Sequence, residues 1–280
     1  MMNVNLLRTA ARSKAVLIGG IIVLAVVLAA ILAPLLSTHD PYEMNVKERL
    51  LDPLEGGHLL GTDQFGRDLY TRILYGAQVS LEVGIVSVSL ALVIGVTLGL
   101  ISGYYGGWID TVIMRFVDIV LSFPVLLLAI AFVAALGPGI ENVIIALALV
   151  YWTSYARLVR ATVLSIKEEE YVQAARTIGS SDFRIIVYNI LPNCLAPIIV
   201  VATLGLGQAI VAEATLSFLG LGIQPPESSW GWTLAFGMKF LQDAPHLSIY
   251  PGVAIMLTVL GFNLLGDGIR DLTDTKLKKK

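Results

Sequence analysis

EEEYVQAARTIGSSDFRIIVYNILP, residues 168–192, is a charged island between long apolar runs, and its reading decides how the rest of the chain is arranged. The stretch predicts two short helices broken at Gly179. Glu168, Glu169 and Glu170 stand where carboxylates complement the positive end of a helix dipole. Gly179 suits the position just past a helix C-terminus, where a positive φ is needed. Beyond it, Ser180 or Ser181 can cap a second helix carrying Phe183, Ile186, Val187 and Ile190. Ala174 and Ala175 give the first helix a small-residue surface that another backbone can approach closely. Two readings stay open at this level: a docking element for another protein, or an ordinary loop helix between two membrane spans.

The composition around the island is that of a membrane protein. Of 280 residues, 56% are hydrophobic and 14% charged, and the mean hydropathy is +0.79. A soluble domain carries about 25% charge. The net charge of −2 leaves no basic face for nucleic acid. The single cysteine, Cys194, excludes an internal disulfide and reads as a small buried residue. His39, His58 and His246 are scattered without a ligand spacing, so no metal site is expected.

Six apolar segments are long enough to span a bilayer. Ala15–Leu36 carries no charge and gives roughly 33 Å of helix against a hydrocarbon core of about 30 Å. It lacks the short apolar region and small-x-small cleavage site of a signal peptide, which predicts an uncleaved span with a cytoplasmic N-terminus. The polar segment 38–78 follows, with Leu69, Ile73 and Leu74 on one side of a helix suited to the membrane surface. A second span lies within Val83–Ile109, where Gly95, Gly99, Gly103 and Gly107 recur every fourth residue and invite close helix packing. The third, Thr111–Leu136, is expected to kink at Pro124 and to pair Arg115 with Asp118. The fourth, Asn142–Leu164, ends in Arg157, Arg160 and Lys167.

The fifth span, Asn193–Leu216, contains Glu213, an acid that costs about 3 kcal/mol in a span unless paired or wetted. Glu213 reads either as part of a water-filled pathway or as an interfacial residue near the outer headgroups, the second reading being slightly preferred. Ser217 and Asn263 are the further pathway candidates, with Asn263 expected to be buried in the sixth span, Ile249–Leu265. Trp230 and Trp232, in the loop between these spans, suit a membrane interface.

The distribution of basic residues orients the chain. Of 19 lysines and arginines, only Lys47, Arg49, Arg67, Arg72 and Lys239 fall in segments assigned outside; the rest fall with the island. The positive-inside rule therefore predicts both termini and residues 168–192 in the cytoplasm. The chain divides into 1–78 (tail, first span and outer segment), 79–273 (a five-helix core containing the island) and a basic tail, 274–280. The dipeptide Gly-Lys is absent, so no GxxxxGK[ST] loop exists, and no nucleophile–base pair or metal cluster is evident. The chain is not expected to be an enzyme or to hold a cofactor. Energy for any transport is expected from a partner acting at the island.

Ala174-Ala175-x3-Gly179, followed twelve residues later by Leu191-Pro192, resembles the EAA loop of importer-type ABC transporter permeases. Gln173 stands where that motif usually has Glu, and Asn189 where it usually has Ile. The segments 58–81, 101–124, 213–231 and 251–271 are similar to those of the second permease of the dipeptide/oligopeptide/nickel group. The resemblance implies an all-α integral membrane protein of type I ABC importer architecture in a bacterial or archaeal cytoplasmic membrane. It implies ATPase coupling through Glu170, Gln173, Ala174, Ala175, Arg176, Gly179, Asp182, Leu191 and Pro192. The implied partners are a homologous permease, two ATPase subunits that bind the ATP, an extracytoplasmic solute-binding protein and membrane lipid. Peptide is the implied solute, with nickel or a metal chelate as the alternative; a channel or scaffold without ATPase coupling is the competing class.

Overall fold

Our computed structural model describes residues 13–273; the basic residues Arg8 and Arg12 and the tail 274–280 lie outside the described residues. The described chain is built from α1 (Lys14–Ile31), α2 (Ala33–Leu36), α3 (Leu69–Tyr105), α4 (Gly107–Leu121), α5 (Val125–Leu136), α6 (Ile140–Ile166), α7 (Glu170–Thr177), α8 (Asp182–Phe218), α9 (Trp230–Gly237) and α10 (His246–Thr273). Five helices are individually long and apolar enough to cross a membrane, and α4 with α5 form a sixth, broken span.

That break corrects the expected kink. The two halves meet at 89° across Ser122–Pro124 rather than bending gently. Pro124 has no amide hydrogen to continue the helical ladder, and Ser122 closes α4 by bonding back to Asp118 and Ile119. At 12 residues, α5 is only about 18 Å long and too short to cross a bilayer alone.

The expected surface helix at residues 69–74 is instead the first turns of α3, which runs unbroken for 37 residues, about 55 Å. Asp68 caps its start by accepting from the Thr71 amide at 2.7 Å, and no Gly-Pro signal interrupts it before Gly106, whose φ of +66° ends it. Leu69 and Leu74 are buried, so their stripe faces protein and not lipid headgroups.

The α3–α6 pair is the most extensive helix contact and uses three of the four predicted glycines. A Cβ on Gly95, Gly99 or Gly103 would lie 2.5–2.7 Å from Trp152 O, Ala156 O or Val163 Cβ respectively. Gly107 lies beyond the seam, with no described atom within 4 Å of its Cβ position. A second seam packs α1 on α10, where a Cβ on Gly261 would meet Ile22 at 2.8 Å.

The two ends of the bundle are chemically distinct. One gathers residues 37–68, 137–139 and 219–245: the Gly139 amide donates to Gly222 O at 3.2 Å, and Ser228 Oγ donates to Arg72 O at 2.7 Å. Trp230 belongs to this packed end and not to a membrane interface, being 2% exposed with its indole N–H donating to Ile73 O. The opposite end gathers α4, the C-terminal part of α6 and the island. There Asp118 pairs with Arg157 at 2.6 Å rather than with Arg115, which makes no ion pair among the described residues. Asp110 binds the Arg160 guanidinium through both oxygens.

Candidate functional site: the island and a membrane cavity

Local sequence sets the island's first half. Glu169 takes the N-cap position of α7, Glu170 lies in its first turn, and Gly179 has a φ of +81°. The Gly179 amide donates to Arg176 O and the Ser180 amide to Ala175 O, closing the helix end as the sequence predicts. The second half differs from the expected separate helix. Asp182–Arg184, a π-helical stretch Ile185–Ile190 and Leu191–Phe218 form one continuous rod, so the island's second element is the start of the fifth span. Leu191 and Pro192 therefore sit within it, Pro192 directly after the π-helical stretch, where it has no amide hydrogen to give the ladder.

Tertiary contacts clamp the island to two spans. Val172 is 1% exposed and packs with Leu100, Tyr104, Val159, Val163, Ile185, Ile190, Cys194 and Ile198, with half-buried Ala175 at the edge of that cluster. Gln173 donates to Lys167 O at 2.7 Å, and Lys167 Nζ donates to Gly103 O at 3.1 Å. The amide at position 173 thus has a donor's task that an ionised Glu could not perform. Tyr104 donates to Asp182 Oδ1 at 2.6 Å while Arg176 lies over its ring, and Asn193 Nδ2 donates to the Tyr171 hydroxyl at 3.1 Å. Partial burial, with the Glu169 carboxylate as a smaller cause, raises the Tyr171 pKa above its ordinary value. The outer surface of the island leaves Glu170, Ala174, Arg176, Ile178 and Phe183 exposed, the last two by 81% and 74%.

Of the three pathway candidates, Glu213 and Ser217 bond to each other, whereas Asn263 lines a cavity that neither of them lines. Glu213 is fully buried and so does not sit at an exposed interface; its carboxylate accepts from Ser217 Oγ at 2.8 Å, Ser229 Oγ at 2.9 Å and Ser80 Oγ at 3.1 Å. Ser217 also accepts from the Ile223 amide at 3.2 Å, so the group ties α3 and α8 to the loop before α9. Neither Glu213 nor Ser217 is among the residues lining the cavity that holds Asn263. Asn263 is exposed rather than buried, and lines a cavity of about 470 Å³ with Tyr151, Ser154, Gln208 and Thr215. Sequence reasoning passed over Tyr151, Ser154 and Gln208, although polar positions inside apolar spans are themselves a signal.

Comparison with known proteins gives this geometry a family. Residues 95–279 match the model of the binding-protein-dependent transport system inner membrane component, and residues 6–53 match the N-terminal TM domain of oligopeptide transport permease C. The chain belongs to this family of binding-protein-dependent permeases. It is 52% identical to the dipeptide transport system permease protein DppC of Alkalihalophilus pseudofirmus, over 95% of this chain and 88% of that protein. A probable D,D-dipeptide transport system permease of Escherichia coli is 46% identical over 91% of this chain and 86% of its own length. A glutathione transport system permease of Pectobacterium atrosepticum is 43% identical, with 95% and 89% covered. In fold, the chain resembles a chain of the MetNI methionine ABC transporter, with a TM-score of 0.59 and 20% identity, covering 72% of this chain and 96% of that one. The permease is thus a multi-pass inner-membrane protein of the ABC importer class, and membership implies ATPase subunits and a binding protein as partners.

Proposed function

We propose that this permease pairs with a homologous permease to form half of the membrane path for di- or oligopeptides, and that it receives the ATPase stroke at residues 168–192. The observation that carries the coupling is the island's double attachment. Gln173 holds it to the end of α6, Asp182 to Tyr104 at the end of α3, and its second half is continuous with α8. A push on the exposed face of α7 moves span ends and not a loose loop. Glu170, Ala174, Arg176 and the Gly179 turn offer that face, while Gln173, Ala175, Asp182, Leu191 and Pro192 shape and anchor it. ATP is bound by the partner subunits, and the permease itself carries no cofactor.

The solute reading rests on the chemistry of the cavity together with the family. Tyr151, Ser154, Gln208 and Asn263 present hydroxyl and amide groups suited to peptide amides, on walls otherwise built of Val125, Leu126, Val211 and Val259. Its lining contains no His, Cys or carboxylate among the described residues, which favours peptide over a nickel ion as the cargo. The bias of basic residues toward the island end supports placing that end, and both termini, in the cytoplasm.

Ala174→Glu and Gly179→Val test the coupling in the reconstituted transporter. The first puts a charge on the exposed α7 face, and the second forces a β-branched residue to a φ of +81° at a strain of about 1–3 kcal/mol. Both are expected to lower peptide uptake at least about tenfold, the effect of roughly 1.4 kcal/mol, while the ATPase subunits still hydrolyse ATP. Wild-type uptake in both variants would overturn the reading.

A further inference from the structure

We propose that His39, His58 and Asp68 form a site for one divalent transition-metal ion of the Zn²⁺ class, at the end of the bundle opposite the coupling island. The three residues come from separate parts of the chain: His39 follows α2, His58 lies in the loop, and Asp68 caps α3. Folding brings one donor atom of each within 4.8 Å of the others.

The spacing suits an ion. His58 Nδ1 lies 2.8 Å and His39 Nδ1 3.6 Å from Asp68 Oδ1. Donors around a tetrahedral ion with bonds of about 2.0–2.1 Å are roughly 3.3 Å apart, between those two values. The imidazoles stack at 4.4 Å with 27° between their planes, so both rings present an edge to the same carboxylate. Asp68 divides its work between its oxygens: Oδ2 accepts from the Thr71 amide at 2.7 Å, leaving Oδ1 toward the imidazoles.

The surroundings supply the second layer of such a site. His58 Nδ1 donates to Asp68 Oδ1, so an ion binds by displacing that proton, and Glu48 Oε2, 3.6 Å from His58 Nε2, is placed to take up the Nε2–H of the tautomer that then ligates through Nδ1. His58 is 4% exposed and Asp68 is fully buried, so two donors are preset, while His39, 35% exposed in its side chain, forms the entrance. An adjoining cavity of about 80 Å³ is lined by all four residues together with Asp40, Glu43, Asn45 and Gly66, and contains no lysine or arginine. That volume accommodates an ion together with a water, which occupies on the order of 30 Å³. Two imidazoles and a carboxylate select borderline divalent metals over Ca²⁺ or Mg²⁺. The donors are none of those lining the proposed peptide cavity, so this ion is not the cargo. Its effect is to staple the chain after α2 and the loop around residue 58 to the first turn of α3.

The test uses the full-length permease purified in detergent with a histidine-free tag, stripped with chelator and titrated with Zn²⁺ or Co²⁺ alone. One equivalent per chain, a tetrahedral Co²⁺ visible spectrum and a raised melting temperature are expected. His39→Ala removes the partly exposed entrance residue and is expected to weaken binding at least about tenfold, and Glu48→Gln about 10- to 100-fold. His246→Ala, whose ring faces Asp52, is expected to bind like the wild type. X-ray absorption on the wild type is expected to show two imidazoles at about 2.0–2.1 Å. Absence of a stoichiometric ion in the wild type, or unchanged binding in His39→Ala, overturns the site.

Discussion

Replacing Glu213 with alanine removes the acceptor shared by Ser80, Ser217 and Ser229, all fully buried. A buried hydroxyl left without a partner costs about 1–3 kcal/mol. Ser80 and Ser217 are helical and can turn back to a carbonyl one turn earlier, as Ser87 does to Val83 O at 2.6 Å, which puts their cost at the low end. Ser229 precedes α9 and has no preceding helical turn to use. Together with the space left by the side chain, the loss comes to about 3–5 kcal/mol. Glu213→Gln keeps an oxygen for Ser217 and Ser229 and offers an amide to Ser80, whose hydroxyl reverses from donor to acceptor, at a cost of about 1 kcal/mol. With roughly 2–4 °C per kcal/mol for a chain of this order of size, the alanine variant melts on the order of 10 °C lower and the glutamine variant only a few degrees lower. The assay is the fraction of monodisperse protein in detergent after a heating series. An alanine variant that melts with the wild type, or a glutamine variant as weak as the alanine one, would falsify the shared-acceptor account.

Two other substitutions probe the packing and the loop. Gly99→Val drives side-chain atoms into Ala156 O and Val159, 2.7 and 2.8 Å from the new Cβ, and is expected to cost about 1–3 kcal/mol; Gly20→Val, with nothing described within 4 Å, is expected to be neutral in the same melting assay. Asp63→Ala leaves Arg67 and Arg72, each 2% exposed, without their carboxylate, and is expected to destabilise by about 3–5 kcal/mol. Asp118→Ala breaks an ion pair whose side chains are more than half exposed, and is expected to cost under about 1 kcal/mol. Equal melting temperatures for the Asp63 and Asp118 variants would contradict the assignment of the first pair to the packed interior.

Much of this architecture was legible in the chain because it depends on local composition. Apolar runs of sufficient length locate the spans, since a backbone in hydrocarbon must satisfy its own hydrogen bonds. Gly179 could be read as a helix end because only a residue without Cβ takes a φ of +81° freely. Gly95, Gly99 and Gly103 announced a close helix contact by their spacing, though not that α6 would fill it.

What sequence reading lacked was the partner of each polar group. Arg115 and Asp118 share a helix face, yet Asp118 meets Arg157, 39 residues on, because α4 and α6 converge at that end. Glu213 reads as an interfacial acid or a pathway residue by composition alone; packing of α3, α8 and residue 229 gives its carboxylate three buried hydroxyl donors that composition does not show. Pro124 marked a weakness in the third span, but the 89° turn depends on how the two halves pack. His39, His58 and Asp68 show no motif because their spacings reflect loop lengths, and only the fold brings their donor atoms together. Hydropathy and turn chemistry act over a few residues and survive in the sequence, whereas charge pairing, burial and ligand geometry are set by neighbours distant along the chain, which the tertiary structure alone supplies.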